Sequence, residues 1–416
     1  MFRNAHCAAP TCSPSRAALL TGRYAHEVGM LGLAHHGWGL NDPAEHLAPR
    51  LGKLGFETVL CGIQHEINHY HATPGIALGY EREITPDAAG ASLPEQDTKI
   101  AHAAADWLQA RGGGDRPFML TAGFFMPHRK FRAADSAQPY QDSRYVKVPN
   151  HLPDVAAVRD DVADYNASVA HFDACVGIVL KALDDAGLVE DTLVIATTDH
   201  GIAFPDMKCS LTDRGTGVFL MMRGPGFSGG QIVDAMVSHL DVVPTLLAAL
   251  GHPADETLTG LALQPLTRGQ PTEIHERLFA EVTFHSAYEP MRSVRTPRYK
   301  LIRRFDPAQK TVRATNCDNG GAKTHLMQQG WDDRPVRASE LYDLELDPTE
   351  LQNRSGDLGL ADIECELGQR LEAWMQYTHD PLLSGPISRP EHVVRTTTKS
   401  LQEQQVARTA RARSSS

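Results

Sequence analysis

The chain has few aromatic residues, no long apolar run and a deficit of positive charge. Of its 416 residues 6% are aromatic, and 40 Lys and Arg stand against 51 Asp and Glu, a formal net charge of −11. Because a phosphate backbone is bound by a basic face, this balance argues against a nucleic-acid partner. Without an apolar run of about 20 residues, no membrane partner is expected. The apolar content of 42% is typical of a soluble globular protein.

Paired cysteines are also missing. The seven cysteines are scattered, odd in number and form no CxxC motif, so neither a zinc site nor a disulfide framework is indicated. This pattern favours a reducing compartment. Since no signal peptide is visible, the sequence as given predicts a cytoplasmic protein, although export stays open if the natural N-terminus lies further upstream.

Short apolar runs alternate with amphipathic segments along the chain. The runs predict buried parallel strands at 56–62, 117–125, 191–199 and 218–226. The amphipathic segments predict helices at 166–188 and 239–251. We therefore expect an α/β fold, a doubly wound mixed sheet flanked by helices, with its site at the carboxyl ends of the strands.

The hydrophobic pattern and the composition change twice along the chain, which predicts three parts. Residues 1–275 carry the alternating pattern and form the large domain. Residues 276–383 read as short strands with turns and a last helix, a smaller C-terminal α+β subdomain. Residues 384–416 are basic and poor in apolar residues, which predicts a disordered tail.

The segment "CSPSRAALLTGR" places a cysteine directly ahead of a predicted helix. Ser13 suits the N-cap, Pro14 suits the first helical position, and Gly22 is placed to end the helix. Cys12 then lies just outside a helix N-terminus, where backbone N–H groups favour an anion, and Arg16 can reach the same place. The residues alone allow either a sulfur nucleophile beside an anion site or a buried structural cysteine.

Histidines and one aspartate follow three of the predicted strands. Asp199 and His200 stand in "TTDHG", His128 in "MPHRK" and His65 in "GIQH". Each alone is compatible with an ordinary turn. Because strand ends meet at one edge of a doubly wound sheet, together they predict a common crevice with Cys12.

At this point the chain resembles the sulfatase family. "CSPSRAALLTGR" is similar to the signature in which a cysteine is oxidised to formylglycine, and "VEDTLVIATTDHG" and "SELYDLELDPTELQN" are similar to later blocks of the family. The short segments "PHR", "GIAFP" and "THDP" look most like the sulfamidase (heparan N-sulfatase) branch. The resemblance implies an alkaline-phosphatase-like fold and hydrolysis of a sulfate ester or N-sulfate.

The resemblance also assigns the nucleophile and a metal. Cys12 would become formylglycine through a formylglycine-generating enzyme, and its hydrate would attack sulfur. Arg16 would stabilise the charge that builds there. One Ca²⁺ would be held by Asp199, His200 and the modified Cys12, and would act as a Lewis acid.

Further residues match the family's substrate-binding positions. Lys208 matches a basic residue that binds the sulfate, and His65 and His128 match histidines that contact the nucleophile and protonate the leaving group. Ile63, however, occupies the position of a family lysine, so a positive charge is missing there.

The start of the chain departs from the family pattern as well. The family has a strand ending in an Asp-Asp pair before the cysteine, whereas this sequence begins "MFRNAHCAAP". We therefore expect the metal site to lack two carboxylates and the sheet to lack a central strand. Either a start codon placed too far downstream or a true fragment would account for both.

Three functional hypotheses follow. The first is a sulfatase acting on a small sulfated substrate, a sugar sulfate or sulfamate, since the acidic chain suits long polyanions poorly. The second is a phosphodiesterase or phosphonate monoester hydrolase of the same superfamily, with which the Asp199–His200 pair is compatible. The third is a non-catalytic remnant that binds anions at the Cys12 helix.

Overall fold

The computed structural model describes five stretches of the chain. They are residues 1–68, 71–227, 229–252, 255–268 and 272–390. Most of the predicted tail, residues 391–416, therefore lies outside the described residues.

Seven strands of the large domain form two separate sheets. The strands are β1 (Phe2–His6), β2 (Glu57–Gly62), β3 (Arg82–Glu83), β4 (Phe118–Gly123), β5 (Val194–Thr197), β6 (Gly217–Arg223) and β7 (Val233–Ser238). One sheet has the order β3-β2-β4 and is parallel, and the other has the order β5-β6-β1-β7. In the β5-β6-β1-β7 sheet only β1 and β7 pair in parallel. The mixed α/β class is confirmed, but the prediction of parallel strands at 191–199 and 218–226 is wrong, because the pairs that β5 and β6 form are antiparallel.

Helices cover both sheets and join the strands. They are α1 (Cys12–Thr21), α2 (Leu47–Lys53), α3 (Pro74–Ala77), α4 (Leu93–Arg111), α5 (Ala156–Asp185), α6 (Asp213–Thr216), α7 (Val242–Ala249), α8 (Gln264–Thr267), α9 (Gly321–Gln328) and α10 (Ala361–Tyr377). A capping box between Ser92 and Glu95 begins α4. The predicted helix at 166–188 begins ten residues earlier, and the one at 239–251 is a short 3₁₀ turn followed by α7.

Helix α5 is long and apolar. By length and composition alone it could cross a membrane, a test that core helices of soluble proteins also pass. Here Val158 and Val162 pack in an apolar cluster, and Phe172 meets Phe124 edge-on at 5.8 Å between ring centres. These contacts hold α5 against the rest of the domain, while part of its apolar face lines a cavity.

A large cavity separates the two sheets. It has a volume of about 1930 Å³, and its walls include every residue of β4 and of β5 together with the apolar face of α5. In the described part of the chain each of these strands pairs on one side only. Their residues are therefore half-buried, not buried as predicted. The sheet is interrupted between β4 and β5.

A separate antiparallel sheet, called the second sheet from here on, follows these strands along the chain. Its strands, in the order β11-β10-β9-β8, are β8 (Leu278–Phe284), β9 (Tyr288–Arg295), β10 (Tyr299–Arg304) and β11 (Ser339–Asp343). Helix α10 packs on this sheet through Leu367, Leu371 and Trp374. The sheet begins close to the predicted boundary at 275/276, which stays a prediction.

Buried charges connect the second sheet to the large domain. Glu281 lies 2.9 Å from Nδ1 of His26 and 3.6 Å from Arg292, and Arg292 also pairs with Asp380. Burial by itself raises the pKa of Glu281. The charges of His26 and Arg292 outweigh this effect and lower the pKa to about 2. This cluster holds the segment after α1 against β8 and β9.

Candidate active site

The site begins at the N-terminus of α1, which differs from the prediction by one or two residues. Thr11 is the N-cap and Cys12 is the first residue of the helix, so the prediction of Ser13 as N-cap is wrong. The Ser13 hydroxyl instead accepts a hydrogen bond from the N–H of Ala34 at 3.0 Å. Gly22 ends the helix in the left-handed region as predicted, with φ at +72°. Cys12 is 5% exposed.

The end of β5 carries Asp199 and His200 to the side chain of Cys12. Nε2 of His200 lies 3.4 Å from Cys12 Sγ and 3.8 Å from a carboxylate oxygen of Asp199. One potential ligand atom from each residue falls within 4.8 Å of the other two. Arg16, one turn into α1, donates from Nε to Asp199 at 3.3 Å. The structure thus brings these four predicted site residues together.

Lys208 adds a buried ammonium group next to Cys12. Its side chain is 2% exposed, and Nζ donates to Asp318 at 2.8 Å. Burial raises the pKa of the Cys12 thiol, but the charges of Lys208 and His200 and hydrogen bonds from His128 and His200 outweigh it. The net pKa of Cys12 therefore lies well below its usual value.

His128 lies on the segment that follows β4 and hydrogen-bonds to Cys12. This hydrogen bond raises the pKa of His128 above its ordinary value, although burial opposes the shift. The backbone just before it is held by Asp97 of α4, whose carboxylate accepts the N–H groups of Phe125 and Met126, each at 2.7 Å. Asp97 is fully buried. Sequence reasoning missed Asp97, which looks like an ordinary helical residue.

His65 and Ile63 lie on the wall of the same cavity after β2. Nε2 of His65 is 3.2 Å from Nδ1 of His35, and the two rings stack. Ile63 donates its backbone N–H to Gly123 at the end of β4 and has no charge to offer an anion. Nearby Arg129 does not replace it, because its guanidinium pairs with Asp161 at 2.6 and 2.8 Å.

The second sheet also contributes residues to the site that the sequence did not suggest. His285, directly after β8, hydrogen-bonds to Cys12, and its pKa is lowered by burial. Asp318 precedes α9 and pairs with Lys208. Both lie more than 270 residues from Cys12 along the chain, and neither stands in a motif that signals the chemistry. Only the packing of the second sheet against α1 reveals them.

While Cys12 is unmodified, the donor atoms around it do not suit calcium. In the described residues the group comprises one sulfur, one imidazole nitrogen and one carboxylate. Ca²⁺ takes 6–8 oxygen ligands, mostly carboxylates, carbonyls and waters. Residues 1–11 carry no acidic residue that would add to them. A softer donor set of this kind suits zinc or a similar transition metal better.

Comparisons with known proteins identify the family. The family model described as Sulfatase matches residues 1–252. The human N-sulphoglucosamine sulphohydrolase is 32% identical over 93% of this chain and 85% of its own length. An ulvan-active sulfatase of Formosa agariphila is 27% identical over 94% of this chain and 75% of its own. The chain belongs to the sulfatase family, whose members hydrolyse sulfuric esters.

Solved structures confirm the fold. A protein crystallised with D-glucosamine-2-N,6-O-disulfate as its substrate superimposes with a TM-score of 0.67 at 17% identity, covering 92% of this chain and 91% of its own. A 2-O GAG sulfatase gives a TM-score of 0.67 at 21% identity, covering 94% of this chain and 87% of its own. The interrupted sheet is thus still a sulfatase fold.

Proposed function

We propose that this protein hydrolyses the sulfate ester or sulfamate of a small sugar, after a formylglycine-generating enzyme has oxidised Cys12. The observation that carries the proposal is the position of Cys12. It is the first residue of α1, within hydrogen-bond distance of His200, and the charge of Lys208 acts on it. A helix N-terminus and a buried ammonium group together favour an anion at this place.

Position 12 suits the modification. A hydrated formylglycine supplies one hydroxyl that attacks sulfur and a second whose deprotonation releases sulfate and restores the aldehyde. Lys208 is placed to bind the sulfuryl oxygens, since its ammonium group is buried beside the side chain of Cys12. His128, which hydrogen-bonds to position 12, is placed to give a proton to the departing oxygen or nitrogen.

The N-sulfate of glucosamine is the substrate we propose first. The support is the 32% identity to the human N-sulphoglucosamine sulphohydrolase over most of both chains. The fold neighbour crystallised with a glucosamine disulfate shows that a related fold accommodates a sugar of this kind.

The first test is the modification itself. Trypsin releases residues 4–16, which contain both Cys7 and Cys12. After co-expression with a formylglycine-generating enzyme, fragmentation of this peptide should show an aldehyde at position 12 and a thiol at position 7. Cys7 is buried and serves as an internal control. A thiol at position 12 in a preparation that turns over substrate would contradict the mechanism.

The second test is turnover. The modified protein should release sulfate from glucosamine N-sulfate faster than from 4-nitrophenyl sulfate, and Cys12→Ala should abolish both rates. Cys365→Ala is the matched control because this thiol is exposed and remote from the site. Turnover of an aryl phosphate diester in place of both sulfates would favour the phosphodiesterase hypothesis. Anion binding without turnover of any substrate would favour the non-catalytic one.

A further inference from the structure

We propose that the unmodified chain, with Cys12 still a thiol, binds Zn²⁺ in preference to Ca²⁺ through Cys12, Asp199 and His200. This site goes beyond the proposed function because it belongs to the chain before oxidation, not to the sulfate-hydrolysing form. It follows from the mismatch between these donors and calcium. A sulfur, an imidazole nitrogen and a carboxylate oxygen are ligand types that Zn²⁺ accepts in proteins.

The distances between the donor atoms agree with a tetrahedral zinc site. With Zn–S of about 2.3 Å and Zn–N of about 2.0 Å, the sulfur and nitrogen ligands should lie about 3.5 Å apart. Cys12 Sγ and His200 Nε2 are 3.4 Å apart. His200 Nε2 and the Asp199 carboxylate are 3.8 Å apart, so a small rotation of that carboxylate completes a third ligand.

The surrounding contacts orient two of the three ligands. Nδ1 of His200 lies 2.8 Å from the carbonyl oxygen of Gly201. Because a carbonyl only accepts, Nδ1 carries the hydrogen, so a metal that displaces the proton of Nε2 finds the Nε2 lone pair facing Cys12 and Asp199. Such a hydrogen bond from the second ring nitrogen is the usual support of a metal-bound histidine. The hydroxyl of Ser15 donates to the carbonyl oxygen of Asp199 and so fixes the backbone of that ligand.

Charge and space near the site allow a dication. Arg16 and Lys208 oppose a cation, but Arg16 is paired with Asp199 and Lys208 with Asp318. With a thiolate at Cys12, three acidic groups (Cys12, Asp199 and Asp318) balance the charges of Arg16, Lys208 and a protonated His128. The three ligands face the large cavity, which leaves a fourth position for water. Oxidation of Cys12 to formylglycine removes the sulfur ligand, so the zinc-bound state and the modified state exclude one another.

The experiment uses the full chain expressed without a formylglycine-generating enzyme. Zn²⁺ affinity is measured by competition with a chromophoric chelator and Ca²⁺ affinity by calorimetry. We expect one Zn²⁺ per chain, bound at least about 100-fold more tightly than Ca²⁺. Co²⁺ as a spectroscopic probe should give a thiolate-to-metal charge-transfer band.

Two variants and one control decide whether the site is the one proposed. Cys12→Ser and His200→Asn should each weaken Zn²⁺ binding by at least about 10-fold, and Cys12→Ser should remove the charge-transfer band. Cys365→Ser should change neither, and far-UV circular dichroism should show that all three variants are folded. The proposal is overturned by equal affinity for both metals, or by a charge-transfer band that survives in Cys12→Ser. Because no step uses turnover, failure here leaves the proposed hydrolysis to its own tests.

Discussion

Replacing Asp97 should show most clearly how far catalysis depends on a residue that only positions His128. Its carboxylate is fully buried and accepts the N–H groups of Phe125 and Met126, which begin the segment that carries His128. Asp97→Ala leaves both N–H groups without their partner. Since each unsatisfied buried donor costs about 1–3 kcal/mol, the variant should lose roughly 2–6 kcal/mol of unfolding free energy. Asp97→Asn keeps one acceptor oxygen and should lie at the low end of that range.

The effect on turnover should appear mainly in kcat. Asp97 touches neither the Cys12 side chain nor Lys208, so sulfate binding and KM should change little. A misplaced His128 delivers its proton poorly, and general acid catalysis by one positioned group is worth roughly 10²–10⁴-fold. For Asp97→Asn, which retains most of the fold, we expect kcat to fall by at least about 10-fold.

The assay is urea unfolding followed by circular dichroism, together with steady-state kinetics of the modified protein. Asp87→Asn is the control, because Asp87 also accepts a backbone N–H, from Ala89 at 2.9 Å, but is exposed. We expect the control to change the unfolding free energy by less than about 1 kcal/mol. The reasoning is refuted if Asp97→Ala is as stable as Asp87→Asn, or if KM rises while kcat is unchanged.

Three further predictions concern charge. Ile63→Lys places an ammonium group on the cavity wall and should raise kcat/KM for a sulfate ester by about 10²-fold. The reason is that a contact between a cation and the charge that develops in the transition state is worth roughly 2–4 kcal/mol. An unchanged rate would show that position 63 does not face the sulfuryl group. Asp318→Asn removes the negative charge that Lys208 now pairs with, and inorganic sulfate should inhibit about tenfold more strongly, as measured by its inhibition constant. Glu281, whose pKa falls to about 2 on folding, contributes stability that is present above about pH 4.5 and lost as the pH falls toward 2. Between pH 7 and pH 3 the wild type should therefore lose roughly 2 kcal/mol more than Glu281→Gln in urea unfolding.

The sequence predicted those parts of the site that depend on local structure. The helix after Cys12 follows from Pro14, the alanines and Gly22, which favour a short helix with a left-handed end. The positions of Asp199 and His200 follow from a strand that ends in a turn. Ser13 is predicted as the N-cap because Pro14 directly after it suits the first helical position. In the structure the helix begins one residue before Ser13, Thr11 is the N-cap without a side-chain capping hydrogen bond, and the Ser13 hydroxyl accepts from the distant N–H of Ala34.

Residues that reach the site through tertiary packing were not predictable. Asp97 looks like any helical carboxylate until α4 packs beside the segment after β4. His285 and Asp318 belong to the part that carries the second sheet and meet Cys12 and Lys208 only through the docking of that sheet. The predicted strand directions were wrong for the same reason. An apolar run such as β6 has one pattern whether its neighbours run parallel or antiparallel, and only the connections settle it.

The interruption of the sheet and the donor set that suits calcium poorly lie at the same place in the fold. Both β4 and β5 end at the crevice that holds Cys12, since His128 follows one strand and Asp199 follows the other. The cavity between these strands reaches that same end, since Cys12, Asp199 and His200 are among its lining residues. The family pattern predicts a central strand ending in two carboxylates, and a strand between β4 and β5 would deliver its last residues beside Asp199. The half-buried strands and the donor set with a single carboxylate are therefore two consequences of the same gap in the sheet.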